Sequence, residues 1–243
     1  MKIVTLNTWG INEPYEKRIR LLTAELLRLN PDVACFQEVP NENAAERIQE
    51  NFSFPHFFAS YPAGLLILSK QPFGETLELK YQTVSTIDLN DRRAIFASVQ
   101  FKNETVWIGN THLAWKGADE ATRVGQVSEL ASQAGKLGAF SILAGDFNCG
   151  PDSAPIAELK EEKFTDIFRL LNPKKEVFTW DNDRNPYLKK HATIFPNRRI
   201  DLIMASETLL KKFKAKSCEV VFTNKGEEEN FPSDHFGVVA EFG

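Results

Sequence analysis

Cysteine is scarce in this chain, and the little there is forms no pattern. Cys35, Cys149 and Cys218 are far apart and odd in number, with no C-x-x-C pair among them. This argues against a disulfide framework or a closed zinc site and makes a reducing compartment the default. Cys149 has no base beside it in sequence, so it reads as a small, semi-buried residue rather than a nucleophile. No apolar run approaches the length of a membrane span. The opening Met1-Lys2-Ile3-Val4-Thr5-Leu6-Asn7 lacks the apolar core of a signal peptide. Nothing repeats at a fixed period, and no Ser/Gly-rich linker divides the chain. Charge of one sign is also missing. A formal net charge of -4 argues against coating nucleic acid through bulk charge, but leaves room for a local basic groove. The expectation is a soluble, cytoplasmic, monomeric protein with one domain over residues 1–243.

What is present is ordinary globular composition, 42% hydrophobic and 26% charged over 243 residues, enough for a sizeable core. Ile3 to Leu6 reads as a first strand. Tyr15 to Leu29 carries Ile19, Leu22, Leu26 and Leu29 at helical spacing and is stopped by Asn30-Pro31. Val33 to Phe36 and Leu65 to Leu68 are short buried strands, and Asn41 to Asn51 is a helix. Leu77 to Tyr81, Ala94 to Phe101 and Thr105 to Asn110 follow as strands, with a hairpin turn at Asn103-Glu104. Glu120 to Leu137 and Ala154 to Glu162 are helical, with the strand Ile142 to Ala144 between them. Arg199 to Met204, Glu219 to Phe222 and Val238 to Phe242 are strands, with a short helix over Thr208 to Lys214. The polar segments Leu171 to Arg198 and Asn224 to Phe231 read as loops of a functional face. Hairpin-linked strands interleaved with helices, without one helix per strand, argue against a doubly wound parallel sheet. They favour an α/β fold of two mixed sheets packed face to face with helices outside.

One device recurs along the chain. An apolar strand ends, and an acid, an amide or a histidine stands at its edge. Asn7 ends the first strand and Glu38 the second. Thr111-His112 follow the strand through Asn110. Asp146 and Asn148 end the run Ser141-Ile142-Leu143-Ala144-Gly145, two apart and on one face if the chain stays extended. Asp201 sits in Arg199-Ile200-Asp201-Leu202, and Ser233-Asp234-His235 precede the last strand. Each has an ordinary structural reading. Asn7, Asp146 and Asn148 could cap their own turns. Glu38 could be a solvated surface acid. His112 could be a hydrogen-bonded core residue, and Asp201 an ion-pair partner of Arg198 or Arg199. Their recurrence at the same structural moment is what the ordinary readings leave unexplained.

Taken in order, Asn7, Gln37-Glu38, Thr111-His112-Leu113, Gly145-Asp146-Phe147-Asn148, Arg199-Ile200-Asp201 and Ser233-Asp234-His235 resemble the endonuclease/exonuclease/phosphatase superfamily over nearly the whole chain. The resemblance implies a four-layer α/β/β/α sandwich and cleavage of phosphoester bonds that depends on a divalent cation, Mg²⁺ with Mn²⁺ as a substitute. It implies Glu38 as the principal metal-binding acid with Asn7 beside it and Asp234 near the metal. Asp146 would position or deprotonate the attacking water, and Asn148 would hold the phosphate and that water. Asp201 would orient the catalytic histidine, His235, while His112 would face the phosphate or leaving group. Arg93 is a looser candidate for a phosphate contact.

The chemistry agrees with these residue types on its own terms. Phosphoryl transfer is mostly positioning and charge stabilisation. Mg²⁺ takes hard oxygen ligands, and one or two protein carboxylates commonly suffice. A histidine backed by an aspartate favours the imidazolium, which can hydrogen-bond developing negative charge. Direct in-line attack by water is therefore expected.

The substrate is less constrained. Asn7-Thr8-Trp9-Gly10-Ile11 resembles the opening of neutral sphingomyelinases. Phe178-Thr179-Trp180-Asp181 and Pro232-Ser233-Asp234-His235-Phe236-Gly237 are similar to 5′-tyrosyl-DNA phosphodiesterases. Abasic-site nucleases usually carry a tyrosine near the position of His112, and this chain departs from them. Trp115, Trp180 and Phe236 stand where substrate contacts would lie, although local packing accounts for them equally well. The aromatic cluster Phe52, Phe54, Phe57, Phe58 and Tyr61 reads as core rather than as a lipid- or base-contacting surface. The reading is a phosphodiesterase acting on nucleic acid or a DNA adduct. The alternatives are a phospholipid head group, a small phosphate ester, or an inactive scaffold that only binds.

Overall fold

The structure, a computed structural model, describes residues 1–49, 54–189, 195–226 and 229–243. Its strands are β1 (Lys2–Asn7), β2 (Val33–Gln37), β3 (His56–Ser60), β4 (Leu65–Ser69), β5 (Thr76–Lys80), β6 (Arg93–Phe101), β7 (Glu104–His112), β8 (Ser141–Asp146), β9 (Phe164–Asp166), β10 (Asp201–Ser206), β11 (Ala215–Val221) and β12 (Gly237–Phe242). Its helices are α1 (Tyr15–Leu29), α2 (Glu42–Gln49), α3 (Glu120–Leu137), α4 (Ala154–Glu161), α5 (Ile167–Leu171), α6 (Pro186–Lys189) and α7 (Glu207–Lys212). The strands form two six-stranded sheets, in the orders β11-β12-β1-β2-β4-β3 and β5-β6-β7-β8-β10-β9.

Alternation along the strands builds the layers, since successive side chains leave opposite faces of a sheet. Ile3, Val33, Cys35 and Ile67 of the first sheet meet Ile95, Ile108, Ile142 and Ile203 of the second in a core between the sheets. The intervening residues Val4, Leu6, Phe36 and Leu68 face outward, onto Ile19, Leu22 and Leu26 of α1 and Ile48 of α2. On the far side, Phe96, Leu143 and Met204 meet Val127 and Leu130 of α3 and Ile156 of α4. The result is the expected four-layer sandwich. Because both faces of these strands are covered, they read in sequence as continuous apolar runs.

Topology explains why the polar strand ends meet. β1 and β2 are parallel, joined by α1, and finish level, with Asn7 opposite Gln37. β7 and β8 are parallel, joined by α3, and finish with His112 opposite Asp146. β10 runs antiparallel to β8 and begins with Asp201 opposite that same Asp146. β12 runs antiparallel to β1, so the residues just before Gly237 arrive at the same edge. Beneath them the sheets are stitched together. Gln37 Nε2 donates to Asn110 Oδ1 (2.7 Å), and Asn110 Nδ2 donates to the carbonyls of Phe36 (2.8 Å) and Leu66 (3.0 Å).

Gly145 shows how closely β7 and β8 approach. Its φ is +145°, and a Cβ there would stand 2.0 Å from the carbonyl oxygen of Thr111.

Several local expectations are corrected. Thr111 and His112 are the last residues of β7 rather than residues following it. The β6–β7 hairpin turns at Lys102-Asn103, both with positive φ (49° and 67°), rather than at Asn103-Glu104. Asparagine tolerates that left-handed conformation at low cost. β3, β9, α5 and α6 were not legible in the sequence, being short or mixed in polarity. Of the expected aromatic cluster, Phe54 is core, Phe57 is 48% exposed, and Phe52 lies outside the described residues, as does the end of the helix expected to reach Asn51.

Candidate active site

The polar strand ends open into a cavity of about 860 Å³ at the edge shared by the two sheets. Its floor is Asp146. Oδ1 accepts the backbone N–H of Asn148 (2.9 Å), and Oδ2 accepts Asn7 Nδ2 (3.0 Å). The same Asn7 nitrogen donates to Glu38 Oε1 (3.0 Å), while Asn7 Oδ1 accepts the Trp9 N–H (3.0 Å). One amide group thus fastens a carboxylate of the first sheet to a carboxylate of the second. The Trp9 N–H fixes which way round the amide lies.

Asn148 does not continue the strand. Its φ is +51°, and its side chain turns away to donate to the Leu113 carbonyl (3.0 Å). The shared strand face expected for Asp146 and Asn148 is therefore a tight Asx turn instead. Both still line the cavity.

Two histidines approach Asp146 Oδ2, His112 Nε2 at 3.3 Å and His235 Nε2 at 3.9 Å. His235 Nδ1 is 2.9 Å from Asp201 Oδ2, and the ring of Trp180 meets the imidazole edge-on at 5.0 Å. Burial works against a charged ring at both positions. At His112 burial prevails, reinforced by Arg92, and the pKa falls to about 3. At His235 burial is outweighed by Asp201 and Asp146, and the pKa rises to about 10. One imidazole is neutral and the other is an imidazolium.

Asp234 is buried with Glu38 nearby. Burial first, and Glu38 after it, push the Asp234 carboxyl up to about 7. Its loop is firmly held. Ser233 Oγ donates to the Asn7 carbonyl (2.6 Å), and Asn185 Nδ2 donates to the carbonyls of Ser233 and Asp234 (2.9 Å each).

Arg18 of α1 is the largest fully buried side chain among the described residues. Its guanidinium is fully buried and donates to the carbonyls of Thr8 (2.7 Å), Gly10 (2.9 Å), Asn12 (2.8 Å) and Pro232 (3.1 Å). It thereby ties the loop after β1 to the loop that carries Asp234 and His235. Sequence reasoning missed Arg18 and Asn185, because an arginine on an amphipathic helix and an asparagine in a polar loop carry no signal of this use.

The expected substrate contacts divide. Trp115, 37% exposed, and Trp180 line the cavity. Arg93 does not. Glu78 accepts from its Nη1 at 2.6 Å and Asp91 from its Nη2, so Arg93 is spent on the sheet edge, and its neighbour Arg92 lines the cavity instead. Phe236 is fully buried against Phe231 and is core rather than a substrate contact. Arg198, Phe195, Trp9 and Tyr61 also line the cavity and were not foreseen. Arg199 pairs with Asp166 and Asp201 with His235, so the ion pair considered for Asp201 does not form. Cys149 is buried and its thiol is pushed up to about 11, in keeping with a packing role.

The donor chemistry suits a hard cation. Carboxylate oxygens of Glu38, Asp146 and Asp234 and amides of Asn7 and Asn148 face one cavity, and Asp234 is buried with Glu38 near it. A ligand atom from each of Asp146, Asp201 and His235 also falls within 4.8 Å of the others. There the Asp201–His235 hydrogen bond already occupies two of the three groups, so Glu38 and Asp234 are the better oxygens for an ion.

A fold of paired mixed sheets with this constellation at one edge has a recognised family. The family model described as the endonuclease/exonuclease/phosphatase family matches residues 4–235, and the chain belongs to that family, whose members are phosphodiester- and phosphate ester-cleaving hydrolases. Among solved structures, D. rerio TDP2 complexed with a single-strand DNA product superposes with a TM-score of 0.85 at 19% identity, covering 100% of this chain and 98% of that one. Sphingomyelinase C from Streptomyces griseocarneus superposes with a TM-score of 0.76 at 17% identity, over 99% and 98% of the two chains. At such identities the likeness is one of fold. Protein angel of Drosophila melanogaster is 27% identical over 166 residues, 58% of this chain and 46% of that protein. Carbon catabolite repressor protein 4 homolog 3 of Arabidopsis thaliana is 29% identical over 160 residues, 59% of this chain and 36% of that protein. The matched stretch thus spans less than half the length of these curated relatives. Among the described residues, no helix is long and apolar enough to cross a membrane.

Proposed function

We propose that residues 1–243 act as one catalytic domain that hydrolyses phosphodiesters by a single in-line displacement, with nucleic acid or a DNA adduct as substrate and Mg²⁺, or Mn²⁺ in its place, as cofactor. The observation that carries this reading is the imidazole of His235, braced by Asp201 and set beside Asp146, in the same cavity as Glu38 and Asp234. A bound divalent cation supplies positive charge to the phosphoryl oxygens and fixes the phosphate in place. Glu38 and Asp234 would hold it, and Asn7 keeps Glu38 at a set distance from Asp146. Asp146 takes the proton of the attacking water. His235 directs its charged Nε2–H at the developing negative charge. His112, uncharged, offers a ring N–H to orient the phosphate. The superposition on a DNA-product complex supports nucleic acid as substrate class.

One observation favours the phospholipid alternative. Ile11 (59% exposed), between the lining residues Gly10 and Asn12, Leu89 (90%), next to the lining residue Asn90, and Trp115 (37%) of the lining itself present apolar surface of the kind an interface-seeking protein uses.

The test is hydrolysis of bis(p-nitrophenyl) phosphate by purified protein with EDTA and after Mg²⁺ is restored, alongside 5′-tyrosyl oligonucleotide, nicked duplex, sphingomyelin vesicles and inositol phosphates. Cation-dependent turnover with preference for the oligonucleotides is expected. Preference for sphingomyelin would shift the reading to the phospholipid, and complete inactivity would leave only a binding scaffold. At a chiral phosphorothioate the product should be inverted, and retention would sink the single-step mechanism.

A further inference from the structure

Two arginines that line the cavity are not consumed by its acids. Arg198 has no carboxylate within ion-pairing distance among the described residues, and its buried Nε has no hydrogen-bond partner. Its guanidinium lies 4.2 Å from the ring centroid of Phe195, and Asp146 is the foremost opposite charge it senses. A guanidinium stacked by its face keeps its in-plane N–H groups for an anion. Arg92 is ion-paired through Nε with Asp88 Oδ2 (2.8 Å). The buried Asp88 is already engaged, accepting from the Asn90 side chain (2.6 Å) and from the Trp115 backbone (3.3 Å). Among the described residues, no hydrogen bond engages the two terminal nitrogens of Arg92, and its charge reaches His112.

Their places in the sheet matter as much as their freedom. Arg92 immediately precedes β6 and Arg198 lies just before β10, while the order β6-β7-β8-β10 puts His112 and Asp146 on the two strands between them. Strand spacing sets the backbones of β6 and β10 roughly 14 Å apart. One cation therefore stands on each side of the reacting position. The charge of Arg92 is balanced by Asp88, yet both guanidinium groups keep N–H groups free to donate to two further phosphate oxygens, one on each flank. A choline-type head group would instead bring a second positive charge among them. Trp115, Trp180 and Phe195 line the same cavity, and aromatic rings are the groups on which unpaired bases stack.

We infer that Arg92 and Arg198 bind the backbone phosphates on either side of the scissile one, so that the substrate is a single strand of nucleic acid engaged over at least three consecutive phosphates. This rests on the phosphodiesterase reading above and narrows its substrate class.

The experiment is fluorescence anisotropy of 5′-fluorescein-labelled (dT)6 with the whole chain in EDTA, across a salt series. Arg92→Gln and Arg198→Gln should each weaken binding about tenfold and lower the slope of log K against log salt by about 0.7, the value of one single-strand phosphate contact. Arg198→Lys, which keeps the charge but loses the planar stack, should retain the slope. A neutral methylphosphonate in place of either flanking phosphate should weaken wild-type binding by a similar factor, and should add nothing in the variant that has lost the facing arginine. Unchanged slopes in both glutamine variants, or wild-type protein that takes up sphingomyelin vesicles and ignores (dT)6, would overturn the inference. Wild-type protein that cleaves bis(p-nitrophenyl) phosphate yet fails to bind (dT)6 overturns the clamp and leaves the hydrolase. Slope changes without any hydrolysis overturn the hydrolase and leave the clamp as a binding site.

Discussion

The end of β7 and the loop leading into β12 each bring a buried histidine to the same oxygen of Asp146, and the two places treat that histidine in opposite ways. His112 ends a strand, has Arg92 for company, and is held neutral with its pKa near 3. His235 sits on a loop, has Asp201 behind it at 2.9 Å, and keeps its proton to about 10. Residue type and burial are the same at both positions, so the neighbouring charge alone decides the state. The supporting structure differs as well. A strand ladder holds His112, whereas His235 depends on contacts from outside its own segment, chiefly the carbonyl clasp of Arg18 on Pro232 and the amide of Asn185 on Ser233 and Asp234.

If the imidazolium is the half that matters for catalysis, deleting it costs most. His235→Ala and Asp146→Asn should each lower kcat by about 10³-fold or more, while His112→Ala should cost about 10²-fold, read from steady-state rates on the chromogenic diester. Equal losses at the two histidines would show that their difference in charge is not used. Next is the origin of the charge. In Asp201→Asn the ring of His235 loses its carboxylate, and its pKa in metal-free protein should drop below 7, measured by NMR titration of the imidazole. Stability should follow. His235 binds its proton more tightly folded than unfolded, so its contribution is complete below pH 6.5 and is lost as pH climbs towards 10. Asp234, raised from 3.8 to about 7, likewise loses its contribution across that lower interval, while His112, lowered to about 3, acts in the opposite sense between 3 and 6.5. Above pH 7 His235 alone of the three still titrates, so the melting temperature of metal-free protein should fall between pH 7 and 10, and Asp201→Asn should flatten that fall.

The support can be broken without touching either ring. Arg18→Met orphans several buried carbonyls and should cost about 3 kcal/mol, or about 6–12 °C in Tm for a chain of this size, measured by calorimetry. The smallest effect belongs to Arg93→Gln. Its partners are sheet-edge carboxylates, so stability should change by less than about 1 kcal/mol and kcat/KM by less than about twofold.

The periodicity of α1 and α3 fixed their limits in the sequence, because a helix that buries one face must repeat its apolar residues until a stop signal such as Asn30-Pro31. The acids, amides and histidines of the cavity were legible for a related reason, since a polar residue closing a doubly buried strand has few other uses. What the sequence hid was direction. Arg92 and Arg93 are adjacent and chemically identical, and only the start of β6 turns one into the cavity and the other towards Glu78 and Asp91. Arg198 and Arg199 repeat the ambiguity. Phe236, in a segment rich in site residues, turns inward because β12 begins immediately after it. Side-chain burial on a loop depends on what covers the loop, and no local pattern encodes that.

Gly145 has a bearing on all of this that neither its size nor its neighbours advertise. It stands opposite Thr111, one step before the rung on which His112 faces Asp146. A methyl group there would lie 2.0 Å from a carbonyl oxygen where real contacts begin near 3.0 Å, so the two strands would have to part by about an ångström. That displacement is of the order that separates a working 3.3 Å contact from none. The hydrogen atom on Gly145 therefore acts as a gauge block, setting the gap between the Asp146 carboxylate and the imidazole of His112 beside it.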